Sequence, residues 1–176
     1  MESTTSKSMN GEPEKLNDVP PPAMIWGAHL ATGSPVIDDD HRELIRLINE
    51  FSALGDAPRE SELSAYAAQH FMREETIMVR ARVATRHVAA HKNAHEGFAR
   101  YVGHIRESQR SPVEIVQFLT RWLNIHILGV DHAMVRQIHM IAGGMTPDEA
   151  FDVDMRANKD PAMTALLEAL DSTEQR

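Results

Sequence analysis

Apolar side chains recur every three or four residues through the middle of this chain, and this helical period constrains the fold more than any other feature. The first stripe lies in 40–54, where Leu44, Ile48 and Phe51 share one face. Further stripes run from about 58 to 82, from about 87 to 108 and from 111 to about 141. The last begins with the capping-box sequence Ser111-Pro112-Val113-Glu114, which predicts a helix start there. Strand signals are nearly absent. Because each stripe must be buried against the others, the pattern predicts an all-α fold, an up-down-up-down four-helix bundle with a short C-terminal helical extension.

The ends of the chain differ in character from its middle. Overall the 176 residues carry a formal net charge of −8, and most of the acidic excess lies near the two termini. We expect the bundle at 25–142, a flexible extension at 1–24 and an acidic helical extension at 143–176. In that last part Thr146-Pro147-Asp148-Glu149 and Asp160-Pro161 are both typical helix starts, so we expect two short helices there.

What the chain lacks excludes several classes of protein. It has no cysteine, which rules out disulfides, thiolate zinc sites, iron–sulfur clusters and a cysteine nucleophile, so any metal must be held by His and carboxylate. The acidic balance argues against a nucleic-acid partner. The first twenty residues lack a secretory signal pattern, and Asn124 and His126 interrupt the longest apolar stretch. We therefore expect no membrane partner and a cytoplasmic location.

Polar residues interrupt the apolar stripe of every predicted bundle helix. They are five histidines and two carboxylates: His41, His70, Glu74, His91, His95, His126 and Asp131. A single histidine on an apolar face is more often a core residue bonded to a carbonyl. Seven such residues in one core need another explanation, because burying an unpaired ion costs on the order of several kcal/mol. The set therefore predicts a bound metal.

The spacing of these residues supports one shared site. His70 and Glu74 are four residues apart, as are His91 and His95, so each pair projects from one helical face. His126 and Asp131 are five apart, which is roughly 140° on a regular helix at about 100° per residue. Either these two straddle the site, with Asp131 reaching across, or a π-type turn lies near Gly129.

The donor set narrows the choice of metal. It is too large for one zinc ion and too rich in nitrogen for calcium or magnesium. It suits two six-coordinate transition ions bridged by both carboxylates and an oxo or hydroxo group, with one position left open. Imidazole and carboxylate without sulfur favour iron or manganese, and an open position on a redox-active pair points to dioxygen chemistry.

Four short motifs, in order, resemble those of the hemerythrins, specifically the bacterial branch. They are Ile37-Asp38-Asp39-Asp40-His41, His70-Phe71-Met72-Arg73-Glu74-Glu75, His91-x-x-x-His95 and Trp122-Leu123-x-x-His126-Ile127-x-x-x-Asp131. The resemblance covers roughly 26–140. It implies two iron ions per chain, one held by His91, His95 and His126 and the other by His41 and His70. Glu74 and Asp131 would bridge them, and dioxygen would bind at the two-histidine iron.

The resemblance also suggests a pocket around the bound oxygen. The residues placed to line it are Ile45, Ile48, Phe71, Trp122, Leu123 and Gly129. Gly129 stands where oxygen-transport members carry a bulky apolar residue, so it would open a path to the iron, although a glycine there could equally serve only to relax the helix. The remaining five histidines match no ligand position, and we expect them at the surface or at helix ends: His29, His87, His104, His132 and His139.

The leading functional hypothesis is a non-haem diiron protein that binds dioxygen reversibly, as a carrier, a store or an oxygen or redox sensor. On this hypothesis the chain is not an enzyme, and nitric oxide or azide are further ligands. The C-terminal extension looks like the tail of bacterial modules found in signalling contexts, so a signalling partner there is a related hypothesis. The alternative is a diiron enzyme, such as a peroxidase, an oxidase or a nitric-oxide-handling enzyme, that uses the same site.

Overall fold

The fold is all-α in a computed structural model that describes residues 22–55, 57–107 and 110–158, without the side chains of 105–107. Three helices are uninterrupted: α1 (Pro35–Leu54), α2 (Ala57–Arg80) and α3 (Thr85–Glu107). The fourth consists of α4 (Pro112–Ile125), a π-helical segment (His126–Asp131) and α5 (His132–Ala142). A 3-10 turn (Ala28–Leu30) precedes the bundle, and α6 (Pro147–Ala157) follows it.

The four long helices form the predicted bundle. Helix α1 packs against both α2 and α4, and α2 packs against α3. Stacking of Tyr101 on Phe118, with ring centroids 3.7 Å apart, joins α3 to α4 and closes the ring of helices. Because the connections between successive helices are short, neighbours run antiparallel. The prediction of a four-helix bundle is confirmed.

Two helix starts have the predicted capping boxes. At α4 the Ser111 hydroxyl accepts a bond from the Glu114 amide, and the Glu114 carboxylate accepts one from the Ser111 amide, at 3.4 and 3.0 Å. Thr146 and Glu149 repeat the same exchange at α6. Each box satisfies two amides that the first helical turn leaves unpaired. The predictions of helix starts at Pro112 and Pro147 are confirmed.

Helix α1 begins five residues earlier than predicted, at Pro35 instead of Asp40. Proline is favoured in the first helical turn, where its missing N–H costs nothing. The Asp38 carboxylate then accepts bonds from the Thr32 amide and hydroxyl, at 2.8 and 2.7 Å, and so fixes the incoming chain. Helix α2 ends at Arg80 rather than Arg82, because Arg82 adopts a left-handed φ of 56° in the following turn.

A layer of buried polar residues separates two apolar clusters in the bundle core. The larger cluster includes Leu44, Ile48, Phe71, Phe98, Leu119, Leu123 and Ile127. The smaller consists of Ile37, Met78, Val83, Met134 and Val135. On α1, His41 lies between Ile37 of the smaller cluster and Leu44 of the larger one. On the fourth helix, Asp131 lies between Ile127 of the larger cluster and Met134 of the smaller one. The bundle therefore holds its polar residues at one level with apolar packing on both sides.

Both ends of the described chain are attached to the bundle. Before α1, the Met24 amide and carbonyl pair with the Asn49 side chain at 2.9 and 2.8 Å. After α5, helix α6 buries Ala150 and Asp154 against α5. The described part of the acidic extension is thus packed against the bundle. The rest of the predicted flexible segment, 1–21, and the helix predicted after Asp160-Pro161 lie outside the described residues. Among the helices described, none has the length and apolarity to cross a membrane.

Candidate metal centre

The structure brings all seven predicted residues into one buried cluster. Helix α1 supplies His41, α2 supplies His70 and Glu74, α3 supplies His91 and His95, and the π-helical segment supplies His126 and Asp131. None of the seven is more than 3% exposed. The five imidazoles share one orientation, since the Nε2 atom of each faces a carboxylate of the cluster. The cluster thus presents its donor atoms toward a common centre.

The Glu74 carboxylate spans two groups of histidines. Its Oε1 lies 3.5 Å from Nε2 of His70, while its Oε2 lies 3.3 Å from Nε2 of His91 and 3.1 Å from Nε2 of His95. The same Oε2 is 4.0 Å from Nε2 of His126. Each oxygen therefore serves a different set of imidazoles.

The Asp131 carboxylate divides its oxygens in the same way. Its Oδ2 lies 3.1 Å from Nε2 of His41, and its Oδ1 lies 3.3 Å from Nε2 of His91 and 3.1 Å from Nε2 of His126. Two overlapping groups result, with candidate ligand atoms within 4.8 Å of one another in each: Glu74, His91, His95, His126; and His41, His70, Glu74, Asp131. The two groups share Glu74, and each could hold a metal ion.

A π-helical segment explains how His126 and Asp131 reach one site. On a regular α-helix, residues five apart point in different directions, but a π-helix has i to i+5 bonding and brings them onto one face. The segment runs from His126 to Asp131, and the His132 amide at its end bonds back to the Ile127 carbonyl. Of the two arrangements left open by the sequence, the π-type turn is the one found, and Gly129 lies inside it.

Many donor atoms of the cluster have no hydrogen-bond partner, as expected of atoms that bind a metal ion. Seven atoms that face the centre are buried without a hydrogen-bond partner: Nε2 of His41, His70 and His91, both oxygens of Glu74 and both oxygens of Asp131. Buried polar atoms in folded proteins are normally paired, because leaving one unpaired costs about 1–3 kcal/mol. Imidazole nitrogens and carboxylate oxygens converging without partners are the donors expected of a transition-metal site.

In the metal-free protein, a proton on His126 offsets part of the charge of the two carboxylates. Burial raises the pKa of Glu74 and of Asp131, but the facing imidazoles hold both pKa values well below the usual range. Burial lowers the pKa of His126, yet neighbouring Asp131 reverses this and raises it to about 9. His126 is therefore protonated at neutral pH when no metal is bound. A metal ion must displace this proton to use the Nε2 lone pair.

Asp40 is a member of the site that the sequence did not reveal. It lies beside the cluster, and its carboxylate contacts Tyr66, His70 and Arg73 of α2. Burial raises its pKa, but the bonds from these three side chains lower it below the usual value, so the group is ionised. Its spacing of four residues from Leu44, on the apolar face of α1, was the available signal.

His87 lies in the first turn of α3, one of the two expected positions, but its side chain is buried rather than at the surface. Its ring packs edge-on against His91 with centroids 5.6 Å apart, and its Nδ1 accepts a bond from the Gln137 amide at 3.1 Å. Burial lowers the pKa of His87 to about 4. Its spacing of four residues from His91 was the available signal. Three other histidines are exposed as expected, namely His29, His104 and His139, and His132 is half-buried.

An apolar cavity of about 20 Å³ lies next to the cluster. Its walls are entirely apolar, and they include four of the predicted pocket residues: Ile48, Phe71, Trp122 and Leu123. Ile45 and Gly129 do not line it. Phe71 stacks on His95, with centroids 3.8 Å apart, and is 5.7 Å from the ring of His70. The cavity therefore adjoins both groups of histidines through this one phenylalanine.

Comparison with known proteins gives the family of this metal-site bundle. A family model described as the hemerythrin HHE cation-binding domain matches residues 32–138, more than half of the chain. The chain belongs to the hemerythrin family, as its motifs predicted.

Similar individual proteins carry related names. The bacteriohemerythrin of Stenotrophomonas maltophilia is 31% identical over 128 residues, which cover 65% of this chain and 81% of that protein. A bacteriohemerythrin of Pseudomonas aeruginosa is 30% identical over 140 residues, which cover 72% of this chain and 89% of that protein. The hemerythrin-like protein of Naegleria gruberi is 27% identical over 112 residues, which cover 63% of this chain and 90% of that protein.

Proposed function

We propose that the chain holds two iron ions and binds dioxygen reversibly, as a carrier, a store or a sensor. The observation that carries this proposal is the division of each carboxylate between two groups of imidazoles. One oxygen of Glu74 and one of Asp131 face the two-histidine group, and their other oxygens face the three-histidine group. A single ion would not use both oxygens of two carboxylates in opposite directions. Membership of the hemerythrin family supports iron as the metal.

The distances support a proposed role for each ligand. His91, His95 and His126 would hold one ion, His41 and His70 the other, and Glu74 and Asp131 would bridge both, together with an oxo or hydroxo group. The two-histidine ion would then have fewer protein ligands and the open position. When bound, the metal pair supplies reversible electron donation to dioxygen at that position. Nitric oxide and small anions such as azide are expected to bind at the same place.

The protein's own contribution is a dry, apolar surrounding. The cavity beside Phe71 and Trp122 offers no hydrogen-bond donor or acceptor from a side chain, so it favours an apolar diatomic over water. No side chain in its wall is an acid, which removes one route for protonating and releasing a reduced oxygen product. We propose that Ile48, Phe71, Trp122 and Leu123 restrict water in this way and so favour reversible binding over enzymatic turnover.

A specific contact favours a sensor over a simple carrier. Helix α6 is joined to the bundle by Asp154, which bonds Arg136 at 2.6 Å and lies 3.4 Å from the Gln137 amide nitrogen. Gln137 bonds His87, and His87 packs against His91. This chain of contacts links a proposed iron ligand to the extension. We propose the 143–176 extension, outside the 25–142 bundle that carries the site, as the place where a signalling partner is met.

The test is to reduce iron-loaded protein without air, admit dioxygen, and then remove it. We expect a coloured adduct that forms on exposure and disappears when oxygen is withdrawn, over several cycles. Metal-free protein taken through the same cycles is the control and should stay colourless. Complete oxidation on the first exposure, with no reversible adduct, would contradict oxygen carriage and favour the diiron-enzyme alternative.

A further inference from the structure

Asp40 of α1 meets three side chains that share one face of α2. Its Oδ2 lies 3.3 Å from Nδ1 of His70 and accepts a 2.7 Å bond from Nε of Arg73. Its Oδ1 accepts a bond from an Arg73 terminal nitrogen at 2.7 Å and one from the Tyr66 hydroxyl at 2.9 Å. The arginine thus binds the carboxylate through two parallel bonds, the geometry that fixes a carboxylate most firmly.

These contacts determine which nitrogen of His70 is available to a metal. An ionised carboxylate only accepts hydrogen bonds, so Nδ1 of His70 must carry the proton that it donates to Asp40. The lone pair is then on Nε2, the atom that faces Glu74 and the cluster. Asp40 therefore fixes both the tautomer and the orientation of this imidazole.

His70 differs in this respect from other histidines of the cluster. The Nδ1 atoms of His41, His91 and His95 are buried without a hydrogen-bond partner in the part of the chain that the structure describes. Of these four imidazoles, only His70 has an Nδ1 atom that is hydrogen-bonded to a carboxylate. The asymmetry falls on the two-histidine group, where the open position lies under the proposed function.

We propose that Asp40, held by Arg73 and Tyr66, is a positioning residue that sets the electron density of His70 and so the anion affinity and reduction potential of the two-histidine iron. This inference rests on the proposed function. A hydrogen bond to a carboxylate makes an imidazole a stronger electron donor to its metal, which favours the oxidised metal. Arg73 draws charge from the same carboxylate and moderates the effect. The two residues therefore act on the iron in opposite directions.

The test uses Asp40→Asn and Arg73→Gln, with Asp39→Asn as the matched control. Asp39 is the adjacent carboxylate and pairs with Arg42 in solvent, so its variant makes the same chemical change away from the site. For each protein, azide affinity of the oxidised form and the reduction potential are measured per bound iron. We expect Asp40→Asn to bind azide several-fold more tightly and to have a higher potential. Arg73→Gln should change both quantities in the opposite direction, and Asp39→Asn should match the wild type.

Opposite signs separate positioning from a general loosening of the bundle, which would shift both variants the same way. The inference is overturned if Asp40→Asn and Arg73→Gln shift the azide affinity and the reduction potential in the same direction. It is also overturned if both variants give the same values as Asp39→Asn. If Asp40→Asn does not load iron, Arg73→Gln and Tyr66→Phe decide the matter, because removing either bond to Asp40 should lower the potential. Wild-type protein is measured first. A wild type without two irons overturns the proposed function itself, whereas a normal wild type with unshifted variants overturns only this inference.

Discussion

Replacing Asp154 with alanine should release helix α6 from the bundle. The Asp154 side chain is 3% exposed and connects α6 to two residues of α5. It accepts a bond from Arg136 at 2.6 Å and lies 3.4 Å from the Gln137 amide nitrogen. It also accepts a bond from Asn158 at 2.9 Å, which closes the end of α6. Other attachments of α6 are buried Ala150, the ring of Phe151, and exposed ion pairs of two α6 aspartates with Arg86.

The size of the effect follows from these contacts. A hydrogen bond to a charged group contributes about 1.5–3 kcal/mol, and the bond from Arg136 is short. Arg136 is partly exposed, so its guanidinium regains water when the carboxylate is removed. Gln137 keeps its bond to His87. We therefore expect Asp154→Ala to lower the free energy of opening α6 by about 2 kcal/mol, which corresponds to roughly 30-fold faster exchange.

Hydrogen exchange of the α6 amides measures this directly, because it reports local opening even when the bundle stays folded. Asp152→Ala is the matched control. Asp152 also lies on α6, but its ion pair with Arg86 is exposed, and exposed pairs contribute about 0–1 kcal/mol. If the α6 amides exchange no faster in Asp154→Ala than in Asp152→Ala, then Asp154 does not hold α6 to the bundle.

Three further predictions concern the metal. Iron-free protein should melt at a clearly lower temperature than iron-loaded protein, because its carboxylates and imidazoles lose their cation; equal melting points by calorimetry would contradict this. Glu74→Ala or Asp131→Ala should lose iron, because each removes a bridge, whereas exposed His104→Ala should retain it; similar iron loss in all three would refute the assignment. The pKa of about 9 at His126 means that iron must displace a proton, so affinity should fall about tenfold for each pH unit below 9 if one proton is released. Chelator competition at pH 6, 7 and 8 checks this, and a pH-independent affinity would be inconsistent with it.

The fold and the cluster were predictable because their signals are local. Helical spacing and capping sequences depend on residues close in the chain, so the bundle and the helix starts at Pro112 and Pro147 followed from the sequence. The ligand pairs at four-residue spacing were equally visible. For His126 and Asp131, the five-residue spacing left two arrangements, and only the structure distinguished the π-helical segment from a reach across the site. The role of the seven residues as iron ligands stays a prediction.

The roles of Asp40, Asp154 and His87 were missed because their partners are distant in the chain. Asp40 is one of three consecutive aspartates, of which Asp38 and Asp40 are both buried, and no pattern within α1 reveals that Asp40 meets side chains of α2. Asp154 is buried through pairing of α6 with α5, which no periodicity within either helix reveals. His87 was assigned to the surface or a helix end because it matched no ligand position, although a buried histidine can equally support a ligand. The pocket was predicted in part, since periodicity identifies apolar faces but not which residues border a cavity.

The proposed function requires that seven side chains hold two iron ions bridged by Glu74 and Asp131. Metal analysis of the purified chain after anaerobic loading with ferrous iron measures this number. We expect about two irons per chain, bound tightly enough to survive gel filtration. One tightly bound zinc per chain despite ample iron, or a single iron at saturation, would contradict the proposed function.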